Sequence, residues 1–357
     1  MAVTRKGWNR QLMLSLFKKE ATYDAGVTMS NANACQMSDY EIDYDWNDVV
    51  TNDKDGIIGT EFGSYQEITE QGFTATYKES KCKPNTLAGL GMLALGAITS
   101  TQDEALASYR HKITPVAVNT ALPSGQAELL DGGLQYAYKG VKVDTLKLSG
   151  KAGGYLELES NIIGSGTRAT SATAFAAKIS ESWMKLSNCK VWFETGASIS
   201  IDATLTQALE NISSATPDTF HTRLESFEFT WNNNLKGQAQ HGGGGVLQDL
   251  DYGRRNGELK FTLLFSDTTE LDYYTSQAIC AIEFDLKGAI IAAGSGTDFY
   301  YGAHLIIPKL YLKKAPLPKG GVGDILTADY ECECMADATN AAVILEVYNA
   351  QAAYLAA

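Results

Sequence analysis

The chain has 357 residues, 45% of them hydrophobic, which is typical of a globular protein large enough to bury a substantial core. Its net charge of -13 argues against a protein that holds nucleic acid tightly, since phosphate binding requires clustered lysine and arginine. A surface past which DNA slides without sticking is compatible with that charge. No run of about 18 apolar residues occurs, so the sequence predicts no membrane span.

Residue usage indicates the fold class. The chain holds 33 glycines, 7 prolines and 18 tyrosines, a balance that suits many short strands joined by glycine turns. Its 6 scattered cysteines do not predict a disulfide framework in a chain of this length, and we expect free thiols in a reducing cytoplasm. Cys332 and Cys334 are expected to share one buried face of a strand.

The first half of the chain predicts an arm, several strands and one helix. Residues 1–20 are expected to form a short amphipathic arm, whose apolar patch is too short for a secretory signal. At 39–46 acidic and apolar residues alternate with a period of two, which predicts a strand with one acidic face. A helix is predicted at 84–97, capped by Asn85 and stopped by a glycine, and a glycine-linked hairpin follows at 136–158.

We expect two β-rich halves, 21–165 and 183–357, joined by a loop or linker at 166–182 that is rich in Gly, Ser, Ala and Thr. Alternating strands dominate the second half, which also holds a helix at 268–278 with a capping-box pattern that begins at Asp267. No βαβ rhythm occurs along the chain. The predicted fold is therefore mainly β, an antiparallel sandwich or barrel with a few short helices.

The sequence contains no recognisable catalytic constellation. Its 4 histidines are His111, His221, His241 and His304. None has a metal-ligand spacing to another, and isolated histidines of this kind are usually structural. Residues 53–56 lack the flanking acids of a calcium loop, and the glycine run 242–245 lacks the lysine and hydroxyl of a phosphate loop. We therefore predict a protein that is not an enzyme and has no catalytic, cofactor-binding or metal site.

Several short motifs follow one another along the chain. They are KKEATY at 18–23, HKITP at 111–115, YKG at 138–140, SFEFT at 226–230, NNNL at 232–235 and IPK at 307–309. In their order and spacing they resemble the tail tube proteins of siphophages, also called major tail proteins. None of the motifs is a catalytic signature, so the resemblance carries over no active site.

The resemblance implies a β-sandwich or barrel-like subunit that closes into homohexameric rings with a shared β-barrel. The rings would stack into the hollow tube of a phage tail, through which double-stranded DNA passes without tight binding. The implied partners are further copies of this chain, the tape measure protein, and the tail terminator and tip proteins. The implied location is the virion tail, with synthesis and assembly in the host cytoplasm.

Two assembly surfaces are expected from this resemblance. The lumen of a DNA conduit should be acidic, because a basic wall would hold the phosphates. The candidate lumen acids are Glu157 with Glu159, or Glu225 with Glu228. The candidate contacts between rings are the segments 1–20, 35–64 and 236–257, for each of which an ordinary solvated surface is the alternative.

Two other functions are considered as alternatives. One is another virion protein, such as a capsid decoration or tail-completion protein, which would stay a small oligomer in solution. The other is a carbohydrate-binding β-sandwich adhesin, which predicts a secretion signal and an exposed aromatic cluster. Polymerisation into tubes distinguishes the tube subunit from both.

Overall fold

The computed structural model of the chain describes residues 10–37, 40–53, 65–104, 106–178, 180–195, 200–201, 212–213, 218–219, 222–239, 245–266, 268–294, 298–336 and 339–354. Within these ranges the protein is mainly β, as predicted. The helices described are α1 (Pro84–Leu95), α2 (Thr269–Thr275) and a short 3-10 helix at Leu186–Asn188.

Several strands alternate buried and more exposed residues, such as those at 73–79, 157–164 and 224–232, whereas the strand at 344–349 is buried throughout. The strands before the 3-10 helix are β1 (Gln11–Leu14), β2 (Cys35–Gln36), β3 (Tyr40–Asp45), β4 (Val49–Asp53), β5 (Tyr65–Glu70), β6 (Phe73–Glu79), β7 (Gly96–Gln102), β8 (Tyr109–Pro115), β9 (Gly125–Asp131), β10 (Leu134–Lys151), β11 (Glu157–Gly164) and β12 (Arg168–Thr170). Those after it are β13 (Lys190–Thr195), β14 (Ser200–Ile201), β15 (Ile212–Ser213), β16 (Asp218–Thr219), β17 (Leu224–Asn232), β18 (Leu235–Ala239), β19 (Leu247–Tyr252), β20 (Asn256–Leu264), β21 (Cys280–Ala293), β22 (Asp298–Leu312), β23 (Pro318–Lys319), β24 (Thr327–Cys334) and β25 (Ile344–Asn349).

One antiparallel sheet has the strand order β3-β6-β11-β10-β17-β20-β24. Its inward side chains are mostly apolar, and Tyr77, Phe229 and Phe261 are buried in the common core. Its outward side chains are mostly polar. A sheet with one face on the core and one face in solvent produces this alternation.

A second sheet has the order β7-β8-β25-β22-β21-β13-β16. The two sheets share β22, which pairs with β25 over 302–306 and with β24 over 310–312. Pro308 lies at this change of partner, where the register against β21 shifts. Proline has no N–H to donate, so an irregular point in a ladder tolerates it. The rings of Phe227 and Phe284 meet between the sheets, with centroids 4.5 Å apart.

Strand β10 also changes partners along its length. Its first part joins a third sheet of order β2-β1-β9-β10-β12, and its second part lies between β11 and β17. The change follows a bulge at Gly140, where φ is +60°. A residue with a Cβ rarely adopts this left-handed conformation, so glycine suits the position.

The N-terminal segment is part of this third sheet. Leu12, Met13 and Leu14 on β1 are buried, and β1 pairs with β9, more than a hundred residues away. The expectation of a free arm is therefore wrong for residues 10–20, while residues 1–9 lie outside the described residues. A local apolar patch does not show that a distant strand will cover it.

Helix α1 packs against β8, β10 and β25 and is buried on nearly every side. It ends at Gly96, where φ is +96°, as the sequence predicts. The predicted cap at Asn85 is wrong, because Lys83 is the N-cap residue and the Asn85 side-chain oxygen accepts the Tyr354 hydroxyl. The Asn85 amide N–H donates to the carboxylate of Glu181 at 2.7 Å. Burial raises the pKa of Glu181 to about 7.

The remaining segments modify the predicted layout. The segment 236–257 contains the two-stranded ribbon β18–β19 rather than a loop alone, and residues 240–244 lie outside the described residues. The second helix is shorter than predicted, and Asp267 also lies outside the described residues.

The division of the chain at 166–182 stays a prediction, although β10 and β17 from opposite halves pair directly. None of the helices in the described ranges has the length and apolar character of a membrane span.

Candidate assembly surface

The outward side chains of the first sheet form a broad polar surface, which we call the polar face. Its charged residues are the carboxylates Glu41, Asp43, Asp45, Glu157, Glu159, Glu228, Glu258, Asp329, Glu331 and Glu333, and the lysines Lys78, Lys147, Lys151 and Lys260. Three more lysines, Lys313, Lys314 and Lys319, pair with Glu258, Glu331 and Asp329 from the segment before β24. The carboxylates still outnumber the lysines, so the polar face is acidic. Three depressions of about 460, 450 and 380 Å³ lie on it.

Strand register arranges these side chains in rows that cross the sheet. One row consists of Glu41, Lys78, Glu159, Lys147, Thr230, Glu258 and Glu333. The adjacent row consists of Asp43, Thr76, Asn161, Thr145, Asn232 and Asn256. Opposite charges on directly paired residues stabilise a sheet, and like charges destabilise it. The alternation of acid and lysine in the first row therefore keeps an acidic surface compatible with strand pairing.

Lysines also approach the places where acids crowd together. Glu258 and Glu333 are cross-strand neighbours, and the Lys313 ammonium lies 3.0 Å from the Glu258 carboxylate. The hydrogen bond to Glu258 raises the pKa of Lys313. Lys147 contacts Glu228 at 2.7 Å. Such exposed pairs contribute about 1 kcal/mol or less each to stability. They orient the side chains of the polar face and add little to the stability of the fold.

The structure brings most of the predicted acids together. Glu157, Glu159 and Glu228 all lie on the polar face. Glu225 is exposed at the irregularity that precedes Ser226 in β17, outside the regular register. The acidic side of β3, which its alternation predicts, joins the same surface, since Ile42 is buried and its neighbours are exposed.

Two ribbons extend from one end of the polar face, β4–β5 between β3 and β6, and β18–β19 between β17 and β20. The base of the first ribbon is held by Asp48, which accepts two hydrogen bonds from Arg168 at 3.0 and 2.6 Å. These bonds lower the pKa of Asp48. The Lys142 ammonium holds the second ribbon, donating to the Leu250 carbonyl at 2.5 Å. Both ribbons therefore start from fixed positions.

Two of the sequence motifs meet at the buried carboxylate of Glu20. It accepts backbone N–H groups from Asp24 at 3.1 Å, Gly26 at 2.9 Å and Gly140 at 3.0 Å. It also accepts the Ser124 hydroxyl at 2.5 Å. Glu20 thus fastens the N-terminal segment to the bulge at which β10 changes partners.

A third motif supplies a buried amide. The Asn233 side chain donates to the carbonyls of Ala94 at 2.8 Å and Val143 at 2.9 Å. Its oxygen accepts the indole N–H of Trp231 at 3.0 Å. The residue therefore joins the end of α1 to β10 and β17, a structural role that sequence reasoning did not identify.

The described histidines have structural environments. His111 lies 2.8 Å from the Ser100 hydroxyl and 3.1 Å from the Asn349 side-chain oxygen, and burial lowers its pKa to about 4. His304 lies between the carboxylates of Glu283 and Asp285, 3.1 Å from each. His221 and His241 lie outside the described residues. Among described side chains, no group of three or more His, Cys, Asp or Glu is arranged to hold a metal ion.

The cysteines are free thiols in the structure. Cys332 and Cys334 lie on the buried side of β24, as expected from their spacing. Burial raises the pKa of the Cys334 thiol to about 12. A thiol held protonated in this way is a poor nucleophile.

Comparison with protein families decides the identity of this scaffold. A family model described as phage tail tube protein matches residues 43–334. The chain belongs to the phage tail tube protein family. The matched region runs from the middle of β3 to the end of β24 and so spans the acidic sheet. Comparison with curated proteins found no match.

Membership confirms the resemblance carried by the motifs. Tail tube proteins are structural components of the phage tail, and the family is not one of enzymes. In this tail tube protein three of the motif residues, Glu20, Gly140 and Asn233, hold strands and the helix together. The polar face and the two ribbons are consequently the surfaces to consider for assembly.

Proposed function

We propose that this tail tube protein assembles into sixfold rings that stack as a hollow tube, through which double-stranded DNA passes. The polar face carries the proposal, because a broad sheet surface with excess carboxylate suits the wall of such a conduit. Phosphates would bind a basic wall through counterion release, whereas an acidic wall repels them. In this proposal the edges of the sheet pair between subunits, giving the shared β-barrel of the ring.

The proposed partners follow from a place in the tail. They are neighbouring copies of the chain, the tape measure protein, the terminator and tip proteins, and DNA in transit. Synthesis and assembly take place in the host cytoplasm. In this proposal the protein is a structural subunit of the tube wall, with no enzymatic activity and no bound metal or cofactor.

Electron microscopy of the purified full-length protein tests this function. We expect hollow tubes whose end views show six repeats around an open lumen. Sedimentation velocity should show growth of the polymer with protein concentration, because assembly follows mass action. Small closed oligomers at every concentration would instead support a decoration or tail-completion protein.

Charge reversal on the polar face tests the acidic wall. Glu41 and Glu157 line the same depression. We expect the double variant Glu41→Lys, Glu157→Lys to form tubes but to retain DNA, with slower ejection from phage that carry it. The delay should shrink as salt rises, since charges are screened over about 10 Å at 0.1 M. The rate of DNA release measured against salt concentration reads out the effect.

The matched control is Glu41→Gln, Glu157→Gln, which removes the same carboxylates without adding positive charge. We expect this control to release DNA faster than the lysine variant at low salt. Equal release from the lysine variant and the wild type at low salt would contradict an acidic wall formed by this face.

A further inference from the structure

A hydroxyl, an imidazole and an amide lie in line at one edge of the second sheet. The Ser100 hydroxyl is 2.8 Å from Nδ1 of His111, and Nε2 of the same ring is 3.1 Å from the side-chain oxygen of Asn349. Ser100 and His111 are cross-strand partners in β7 and β8, and Asn349 belongs to β25 on the other side of β8. We call these three residues the serine set. Strand pairing assembles it from distant parts of the chain, so no local motif contains it.

Hydrogen bonds fix the orientation of the Asn349 amide. Its oxygen accepts the backbone N–H of Gln351 at 2.8 Å, and its NH2 group donates to the Tyr354 hydroxyl at 2.7 Å. The Tyr354 hydroxyl donates in turn to the side-chain oxygen of Asn85, so towards Asn349 it is an acceptor. A flipped amide would lose both bonds, and the oxygen therefore faces the imidazole.

This orientation decides which nitrogen of His111 carries the proton. The Asn349 oxygen can only accept, so Nε2 carries the proton and donates to it. Burial lowers the pKa of His111 to about 4, and the ring is neutral at neutral pH. Nδ1 is therefore unprotonated and accepts the Ser100 hydroxyl. A nucleophile, a base and a side chain that orients the base have the same roles in hydrolases of the Cys-His-Asn kind.

The members of the serine set differ in exposure. Ser100 is exposed, whereas His111 and Asn349 are completely buried. The Tyr354 ring packs edge-on against the imidazole, with centroids 4.8 Å apart. Among the strands that the structure describes, β7 pairs with β8 alone, so its outer edge presents backbone N–H groups to solvent. Such groups can donate to the oxygen of an incoming carbonyl, and a small molecule can reach the Ser100 hydroxyl from this edge.

We propose that Ser100 is a reactive hydroxyl that takes an acyl group from an activated carboxylic ester, with His111 as its base and Asn349 as the positioning residue. A bond forms between Oγ of Ser100 and the carbonyl carbon, and the bond from that carbon to the leaving oxygen breaks. The hydroxyl proton passes to Nδ1 of His111 and then to water. The product is a single serine ester on the subunit, a modification that goes beyond the tube function and does not depend on it.

Acetylation of the purified full-length protein by p-nitrophenyl acetate tests the proposal. Peptide mass spectrometry locates the acetyl groups and gives the rate at each site. Ser187 is the internal reference, because it is exposed and its hydroxyl lies 3.5 Å from the Asn188 side-chain oxygen, without a histidine. General-base assistance contributes about 100-fold or more in enzymes, and His111 is a weak base, so we expect acetylation at Ser100 to be at least about tenfold faster than at Ser187.

Substitutions separate the roles within the serine set. Ser100→Ala should remove the adduct. Thr99→Ala is the matched control and should keep it, because Thr99 is the exposed neighbour on β7 and pairs with Lys112 instead. Asn349→Leu should slow the transfer about tenfold or more, since Nε2 loses the acceptor that fixes the tautomer. Asn349→Asp keeps an oxygen there and should restore the rate.

The pH profile of the wild type tests the base without any substitution. His111 is neutral above its pKa of about 4, so the rate at Ser100 should be constant from about pH 5 to 8. An unassisted serine must first lose its proton to solvent, and its rate rises about tenfold per pH unit. Tyr354 faces the imidazole and stays neutral in this range, because burial raises its pKa well above the usual value. Arg110 and Lys112 flank His111 on β8, and strand alternation directs them to the opposite side.

The wild-type measurements decide the proposal even where a substitution of a buried residue unfolds the chain. Faster acetylation at Ser100 than at Ser187, with a flat pH profile, supports the reactive hydroxyl. Equal rates at the two serines, or a rate at Ser100 that rises about tenfold per pH unit, would overturn it and leave the tube function intact.

Discussion

Replacing His304 by leucine is expected to remove much of the stability of the fold. The imidazole is buried between the carboxylates of Glu283 and Asp285, and Glu346 faces it from β25. Removing one partner of a buried ion pair costs about 3–5 kcal/mol, because the remaining charges have no compensation. That loss is a large part of the 5–15 kcal/mol typical of a domain. Urea denaturation at neutral pH measures it.

The pH dependence of stability gives a second readout for His304. Burial alone lowers its pKa, but Asp285 and Glu283 outweigh burial and raise the pKa to about 9. The stabilisation is therefore fully present below the unfolded pKa of about 6.5 and is lost as pH rises through 9. Other charged or titratable groups nearby are Lys287, 3.5 Å from the Asp285 carboxylate, and Tyr348, in ring contact with His304.

His111 should give the opposite pH dependence of stability. Burial lowers its pKa to about 4, so the folded protein holds it neutral. Its contribution is present above pH 6.5 and is lost as pH falls towards 4, because the unfolded chain takes up the proton first.

The control for His304→Leu is Lys313→Ala, which removes an exposed ion pair and should cost about 1 kcal/mol or less. An unchanged slope of stability between pH 6.5 and 9 in His304→Leu would contradict the assigned role.

Glu20→Ala is expected to cost about 4 kcal/mol. The carboxylate receives three backbone N–H groups and the Ser124 hydroxyl, and each buried donor left without an acceptor costs about 1–3 kcal/mol. Glu20→Gln should lie between the wild type and the alanine variant, since the amide oxygen can still accept. Chemical denaturation gives the free energy of unfolding for all three proteins.

Hydrogen exchange locates the effect of Glu20. The amides of Gly26 and Gly140 should lose protection in Glu20→Ala, because their acceptor is gone. Glu157→Ala is the matched control, since this glutamate is exposed on the polar face and should change unfolding by about 0.5 kcal/mol or less. Wild-type protection at Gly140 in Glu20→Ala would show that another group holds the bulge.

Much of the local structure follows from the sequence. The alternation of Phe227, Phe229 and Trp231 with polar neighbours correctly predicts the buried side of β17. The alternation in β3 predicts its acidic side, and Gly96 marks the end of α1. These features depend on the period of the side chains and on the conformational freedom of one glycine, both of which are local properties.

The arrangement of those elements depends on residues far apart in the chain. The carboxylate of Glu181 accepts the amide of Asn85 at the start of α1, and β1 is covered by β9 instead of forming an arm. His304 meets its carboxylates only because β21 pairs with β22. The sequence by itself determined the mainly β fold, the family resemblance and the acidic character of several strands. The tertiary structure decided which acids share the polar face and that Ser100, His111 and Asn349 meet, because strand order and register arise from long-range packing that no local period encodes.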